Sequence, residues 1–475
     1  MSLPKSARDP KLVLDMLSRM AVRDLDPWSG RMFGHVYDTG LKELREAARK
    51  AFEMFQDKTM LDFTVYPSVL DLERQVVRMS ASLVNGGDEV VGAFTYGGTE
   101  SIMLAVKAAR DYFKSRAGGG TPTMILPVTG HPAFVKAAEY LGLRVVRAPV
   151  DGESYRVDVE AVKEMVSRDT AIIVASAPNY PMGVIDDIEA LSDLAMDKGV
   201  WLHVDACIGG FLLPFLRDAG DNVPPFGFEL PGVASLSMDL HKYGYAPRGA
   251  SVVLYRGEDR RLRHIFVNAS WPGYPIVNMA VLSTRSAGPL AASWLVLNSL
   301  GYEGYLDLAR KVLAAREAIR RGVTSLGFSV LGDPHSGILA FSTGEISPTR
   351  LAVAMARRKW YIQVQPGSRP LGLPRSIHLT ISPVHHGIVD EFLRDLASAK
   401  EEALGLDMPS DEELDQLAAI IESSKPEEVL AMLGLGEGGG SLDESVLSLV
   451  DELIYRLNPG TVEALLRLAV SRLFR

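Results

Sequence analysis

The chain has 475 residues, 47% of them hydrophobic and 23% charged, and its net charge of −9 is spread without a basic block. That composition excludes a disordered chain and disfavours a nucleic-acid partner, and it leaves room for two or three domains sharing a core. The single cysteine, Cys207, excludes an intrachain disulfide and fits a reducing cytoplasm, where the protein is expected. Residues 1–11 are polar and lack a signal peptide's apolar core, and no apolar run reaches the roughly 18–20 residues that span a bilayer, so no membrane anchor is expected. Residues 1–60 read as a helical arm with a loop around Pro27-Trp28-Ser29-Gly30. A helix follows from about Leu70 to Leu83, with apolar positions at Val76, Val77 and Met79.

Within a large domain assigned to 61–286, strand and helix signals alternate, which predicts an α/β fold with a mainly parallel sheet. The strand candidates are Val91–Thr95, Thr123–Val128, Arg144–Val150, Ala171–Ala177, Trp201–Ala206, Val233–Met238 and Ala250–Tyr255. A smaller domain, 287–405, opens with a long helix from Leu290 to about Leu326. It continues with strands near Phe328–Leu331, Ile338–Thr343, Tyr361–Gln365 and Ile377–Ser382. Residues 406–475 form a helical extension with capping-box starts at Ser410-Asp411-Glu412-Glu413 and Ser441-Leu442-Asp443-Glu444, a flexible link at Gly436–Ser441, and a last helix from Thr461 to about Leu473.

The chemistry concentrates in 233–256. One apolar run ends on Asp239, His241 and Lys242, a Tyr/Gly/Pro-rich bend follows, and a second apolar run returns. A lysine held at the edge of a core can lose its proton and form a Schiff base; the plain alternative is a solvated lysine at a strand end. In Trp201-Leu-His-Val-Asp205 a second buried-looking strand ends on a carboxylate, which alone is a helix cap or a metal ligand. Paired with a Schiff-base lysine, Asp205 is instead the carboxylate that keeps a pyridine nitrogen protonated, as pyridoxal 5'-phosphate requires. Gly97-Gly98-Thr99-Glu100-Ser101 lies between a strand and its helix, where free N–H groups and two hydroxyls suit a phosphate; most such turns only cap helices. His385-His386 has no carboxylate or cysteine spacing around it, and no metal site is expected.

The segments Gly97-Gly98-Thr99-Glu100-Ser101-Ile102, His203-Val204-Asp205-Ala206-Cys207 and Asp239-Leu240-His241-Lys242-Tyr243-Gly244-Tyr245-Ala246-Pro247 resemble the group II pyridoxal-phosphate-dependent decarboxylase superfamily, most closely its sphingosine-1-phosphate lyase branch. The resemblance runs with interruptions from about residue 29 to 400. It implies a fold type I large domain around a seven-stranded, mostly parallel sheet, a smaller α+β domain, and a homodimer with the active site at its interface. It also implies a cofactor held by Gly98, Thr99, Ser101, His131, Asp205, Cys207, His241 and Lys242, with His131 and Cys207 on opposite faces of the ring. Tyr37, in a Ser-Gly…Tyr element, and Tyr180 are the implied assisting groups. The implied reaction is carbon–carbon cleavage of a small-molecule amine. A tyrosine, aspartate or glutamate decarboxylase is the first alternative, a pyridoxal-phosphate-binding protein with little catalysis the second, and a nucleotide-binding α/β protein a third. Two departures bear on substrate: Asp62 stands where the branch has histidine, and Arg248 where it usually has lysine. Asp62 favours the decarboxylase.

Overall fold

A computed structural model describes residues 3–117, 120–404, 409–432 and 444–473. Three helices, α1 (Pro10–Met20), α2 (Lys42–Phe55) and α3 (Pro67–Leu83), precede the sheet. The α/β layers follow as β1 (Val90–Thr95), α4 (Gly98–Ala117), β2 (Thr123–Pro127), α5 (Ala133–Leu141), β3 (Arg144–Ala148), α6 (Val159–Met165), β4 (Thr170–Ser176), α7 (Ile188–Lys198), β5 (Trp201–Asp205), α8 (Leu213–Asp218), β6 (Val233–Met238) and β7 (Ser251–Arg256). A short helix α9 (Glu258–Leu262) and a hairpin of β8 (Phe266–Asn268) and β9 (Ile276–Asn278) lead to the long helix α10 (Gly288–Ser325). The smaller unit comprises β10 (Ser329–Val330), β11 (Ile338–Ser342), α11 (Pro348–Arg357), β12 (Gln363–Gln365), β13 (Ser376–Thr380) and α12 (Val389–Leu404). The extension holds α13 (Asp411–Ser423), α14 (Pro426–Met432), α15 (Glu444–Arg456) and α16 (Pro459–Leu473).

The seven strands run in the order β1-β7-β6-β5-β4-β2-β3, with β7 antiparallel to both neighbours and every other pair parallel. Every residue of β2, β4, β5 and β6 is buried, as a sheet covered by helices on both faces demands. Polar side chains therefore collect where the strands end. Asp205 closes β5 and Asp239 follows β6, so both carboxylates emerge at the carboxyl edge, where open α/β sheets bind ligands. α10 is one element interrupted at Gly301, whose φ of 56° lies in the left-handed region that glycine adopts without cost.

Two further features were not legible in advance. The β8–β9 hairpin is three residues a strand with no buried residue, so it carries no alternating apolar signal. The N-terminal loop is strapped to the small unit: Phe33 N–H donates to Tyr361 O at 2.9 Å, and Thr380 N–H to Phe33 O at 2.7 Å. In the extension the capping box at Ser410 is present, with Ser410 N–H donating to Glu413 Oε2 at 2.8 Å. The second box at Ser441 and the link at Gly436–Ser441 lie outside the described residues. The apolar stripe of α16 covers the extension's own helices, with Val462 and Leu465 packed against Ala418, Ile421, Val429, Leu453 and Leu457. The buried Arg456 side chain ties α15 to α13 through Asp411 and Asp415 and pairs with Glu452 within its own helix.

Candidate active site

A cavity of about 540 Å3 opens at the carboxyl ends of β1, β4, β5 and β6. Gly98, Thr99, His131, Tyr180, Asp205, Cys207, His241 and Lys242 all line it, from segments 144 residues apart at the extremes (242 − 98). Two expected residues lie elsewhere. Ser101 is fully buried, and its hydroxyl is held by Thr95 Oγ1 at 2.6 Å and Ser251 Oγ at 2.8 Å, so it braces β1, α4 and β7 rather than facing a phosphate. Tyr37 lines a second cavity, of about 320 Å3, which shares His241 with the first.

The turn that presents Lys242 is fixed at many points. Lys242 N–H reaches Asp239 O at 3.3 Å, Tyr245 N–H reaches Lys242 O at 2.9 Å, and Ala246 N–H reaches Leu240 O at 3.0 Å. Tyr245 holds a φ of 57°, a conformation a tyrosine keeps only where its surroundings impose it. The buried Tyr243 hydroxyl lies 3.0 Å from Gly337 O and 2.8 Å from Ile381 O, which ties the turn to the β11–β13 layer.

Lys242 Nζ stands 3.0 Å from Asp239 Oδ2. Burial pulls the lysine pKa down, but Asp239, Cys207, Tyr37 and Asp205 outweigh it, and the ammonium is held well above its ordinary range. Burial likewise opposes ionisation of Asp239, yet Lys242 and His241 hold its carboxyl below the usual range. Asp205 Oδ1 accepts from Cys207 N–H at 3.1 Å, which aims the carboxylate. His131 Nδ1 accepts from Ala133 N–H at 3.2 Å, so the neutral ring carries its proton on Nε2; burial lowers its pKa and keeps it neutral. Tyr180 is braced by Gln363 Oε1 at 2.6 Å and by ring stacking on His378 at 4.4 Å. Burial pushes the Tyr37 phenol up to about 12, partly opposed by Lys242.

A buried polar chain links β5 and β6. Trp201 Nε1–H can only donate, and it does so to Ser235 Oγ at 2.7 Å. Ser235 Oγ also lies 2.8 Å from His203 Nδ1, and His203 Nε2 lies 3.2 Å from Ser237 Oγ. Burial lowers the His203 pKa to about 4, so the ring stays neutral in this chain. Ser237 Oγ lies 3.3 Å from Cys207 Sγ, and burial pushes that thiol well up, consistent with a packing role rather than a nucleophile.

Glu100 escaped sequence reasoning. Glu100 accepts from Tyr96 N–H at 2.6 Å and, through its other oxygen, from Val281 N–H at 2.7 Å and Leu282 N–H at 3.2 Å. It staples the glycine turn to the loop before α10, and its place in the first turn of a helix was the available signal. Gly98 stands close against the Asp239 carboxylate. A side chain there would meet the Asp239 carboxylate oxygens at 2.8 Å and Cys207 Sγ at 2.9 Å, so the anion nearest this glycine is the chain's own. Asp62, expected to bear on substrate, lines neither cavity and binds Thr64 Oγ1 at 2.6 Å. Arg285 is buried behind β1, with Nη1 donating to Phe94 O at 3.2 Å. Among the described residues no cluster of three metal-ligating side chains occurs.

A lysine between two carboxylates, beside a neutral imidazole and a helix N-terminus at the edge of a seven-stranded sheet, defines the class: a fold type I pyridoxal-phosphate enzyme. The model of the pyridoxal-dependent decarboxylase conserved domain matches residues 53–343, and the chain belongs to that family. It is 39% identical over 382 residues to a sphingosine-1-phosphate lyase of Arabidopsis thaliana, covering 79% of this chain and 69% of that one. It is 31% identical over 373 residues to a probable L-tyrosine/L-aspartate decarboxylase of Methanothermobacter thermautotrophicus, covering 78% of this chain and 97% of the other. A solved sphingosine-1-phosphate lyase of Burkholderia pseudomallei superposes with a TM-score of 0.80 at 34% identity, over 85% of this chain and 93% of that one. The protein is a pyridoxal-phosphate-dependent lyase. Among the described residues no helix is long and apolar enough to cross a membrane.

Proposed function

We propose that the protein cleaves the Cα–Cβ bond of a phosphorylated amino alcohol. The observation that carries this reading is the second cavity. It adjoins Lys242 through His241 and gathers Arg45, Arg49, Arg248 and His35 around one acid, Asp38. Arg45 lies over the Trp28 ring at 4.1 Å and 3.8 Å from Asp38 Oδ1; Arg248 donates to His35 O. Such a chamber suits a dianionic headgroup, with planar guanidinium forks in place of a compact ammonium. Asp62 is no obstacle to it, since that carboxylate lies outside the chamber.

The residues around the first cavity fit the cofactor. The glycine turn and the start of α4 suit its phosphate, Thr99 adds a hydroxyl, and His241 stands nearby. Asp205 suits the ring nitrogen and His131 a ring face. Bound at Lys242, the cofactor supplies an electron sink for the carbanion left when a bond at Cα breaks. The chain's own residues do the rest. Tyr37 lines the second cavity with its hydroxyl protonated, the state suited to giving a proton to the carbon whose bond is broken. Tyr180, fixed by Gln363, lines the first cavity. Product analysis of the loaded protein tests the reading: an aldehyde plus phosphoethanolamine supports it. Carbon dioxide plus an amine from an amino acid would replace it with the decarboxylase reading that the Methanothermobacter relative suggests.

The reading includes a homodimer. α1 buries none of its residues and exposes Leu12, Leu14, Leu17 and Met20, and an 11-residue helix is marginal without a surface to pack on. Val281 and Leu282, each 51% exposed, line the mouth of the first cavity, so a second copy across that edge would complete its wall.

A further inference from the structure

Asp239 belongs to no expected role, yet it is the charged group nearest Lys242. It is 2% exposed, its Oδ2 is 3.0 Å from Nζ, and His241 Nε2 is 3.7 Å from the same oxygen. Its Oδ1 is buried with no hydrogen-bond partner among the described residues. The carboxylate lies against Gly98 at the start of α4, where any larger residue would collide with it. A buried carboxylate left half satisfied is costly, and it persists where the site uses it.

We propose that Asp239 is the resident counter-ion that keeps a proton on the Lys242 nitrogen both before and after the cofactor is attached. In the free protein it pairs with the ammonium. On attachment Nζ passes one proton to Oδ2, and its freed electron pair attacks the cofactor's aldehyde carbon. The remaining two N–H hydrogens leave with the aldehyde oxygen as water, a C=N bond forms, and Oδ2 returns its proton to that nitrogen. One ammonium and one aldehyde thus give one protonated C=N group and one water, with the charge unchanged. The other groups facing Lys242 are Asp205 and Cys207 from the end of β5, Tyr37 from the N-terminal loop, His131 before α5, Tyr180 after β4, and the adjacent His241. Asp239 is the carboxylate in ion-pair distance, and the Asp205 oxygen bound by Cys207 N–H is committed elsewhere.

The inference rests on Lys242 being the attachment point, which borohydride reduction and peptide mapping of the loaded native protein test separately. Label on another residue would sink that reading. With Lys242 labelled, the deciding measurement is the absorbance of the bound cofactor against pH, which reports protonation of the C=N nitrogen. Asp239→Asn is expected to move the midpoint down by at least one pH unit, a tenfold loss of proton affinity, with the melting temperature of the cofactor-free protein as the folding control. A midpoint within 0.3 unit of native would overturn the role of Asp239. If the asparagine variant does not load, Asp239→Glu decides: its displaced carboxylate must lower the midpoint, and an unmoved midpoint overturns the proposal equally.

Discussion

At the residue scale the site is a set of charges whose states follow from burial and neighbours. Lys242→Ala is expected to remove the absorbance band near the visible edge and to cut turnover by at least about a thousandfold, because no other nitrogen in the cavity can replace the attacking amine. Spectra and product formation on the same preparation check both. Tyr37→Phe should lower turnover by about a hundredfold, the usual worth of one positioned proton donor. Since burial pushes the Tyr37 hydroxyl up to about 12, its proton is present throughout the physiological range. Loss of the hydroxyl should therefore scale the pH–rate profile without moving its limbs between pH 6 and about 9, and a displaced limb would show that Tyr37 titrates there. Much of this was readable from the chain, because a lysine and an aspartate that end apolar strands can only be presented at a sheet edge. Ser101 was misread for a physical reason. Sequence shows a hydroxyl near a helix start but not which face of the helix it occupies, and Ser101 faces the core.

At the scale of elements, the turn carrying Lys242 is only as rigid as the layer behind it. A side chain at Gly337 would begin 1.9 Å from the Tyr243 hydroxyl, so Gly337→Ala must push that ring away. The expected result is a loss of about 1–3 kcal/mol in unfolding free energy and weaker cofactor retention on dialysis. Helix α10 is anchored by a buried cluster in which Arg316 Nη1 lies 2.8 Å from Asp221 Oδ2 and His335 Nδ1 lies 2.9 Å from Asp221 Oδ1. Burial would raise the Asp221 pKa, but His335 and Arg316 outweigh it and hold the carboxyl well below its ordinary range. A depressed folded-state pKa contributes stability above the unfolded value, and that contribution is lost as pH falls below about 4. His335 is raised, chiefly by its bond to Asp221, so its contribution is complete below about 6.5 and fades as pH rises through its folded value. Asp221→Asn should cost about 3 kcal/mol by leaving Arg316 buried and unpaired, and should flatten the acid limb of a melting-temperature profile.

At the scale of the whole molecule, the proposed homodimer is tested on the exposed apolar face of α1. Replacing Leu14 and Leu17 of α1 by glutamate should shift the protein towards monomer in sedimentation equilibrium and reduce turnover in step with dissociation. A monomer of full activity would show that the cavity wall is complete in one chain. Periodicity and strand-ending residues by themselves determined the layered α/β fold, the order of its strands along the chain, and the candidate lysine with one carboxylate, Asp205. They could do so because burial on both sheet faces writes continuous apolar runs, and charges must stand where those runs stop. Tertiary structure alone decided that Asp239 rather than Asp205 pairs with Lys242, that Tyr37 belongs to a second, cationic chamber, and that Glu100 is a staple. Those facts depend on distances between segments far apart in the chain, and no local pattern encodes which side chains the packing of separate elements brings within a few ångströms.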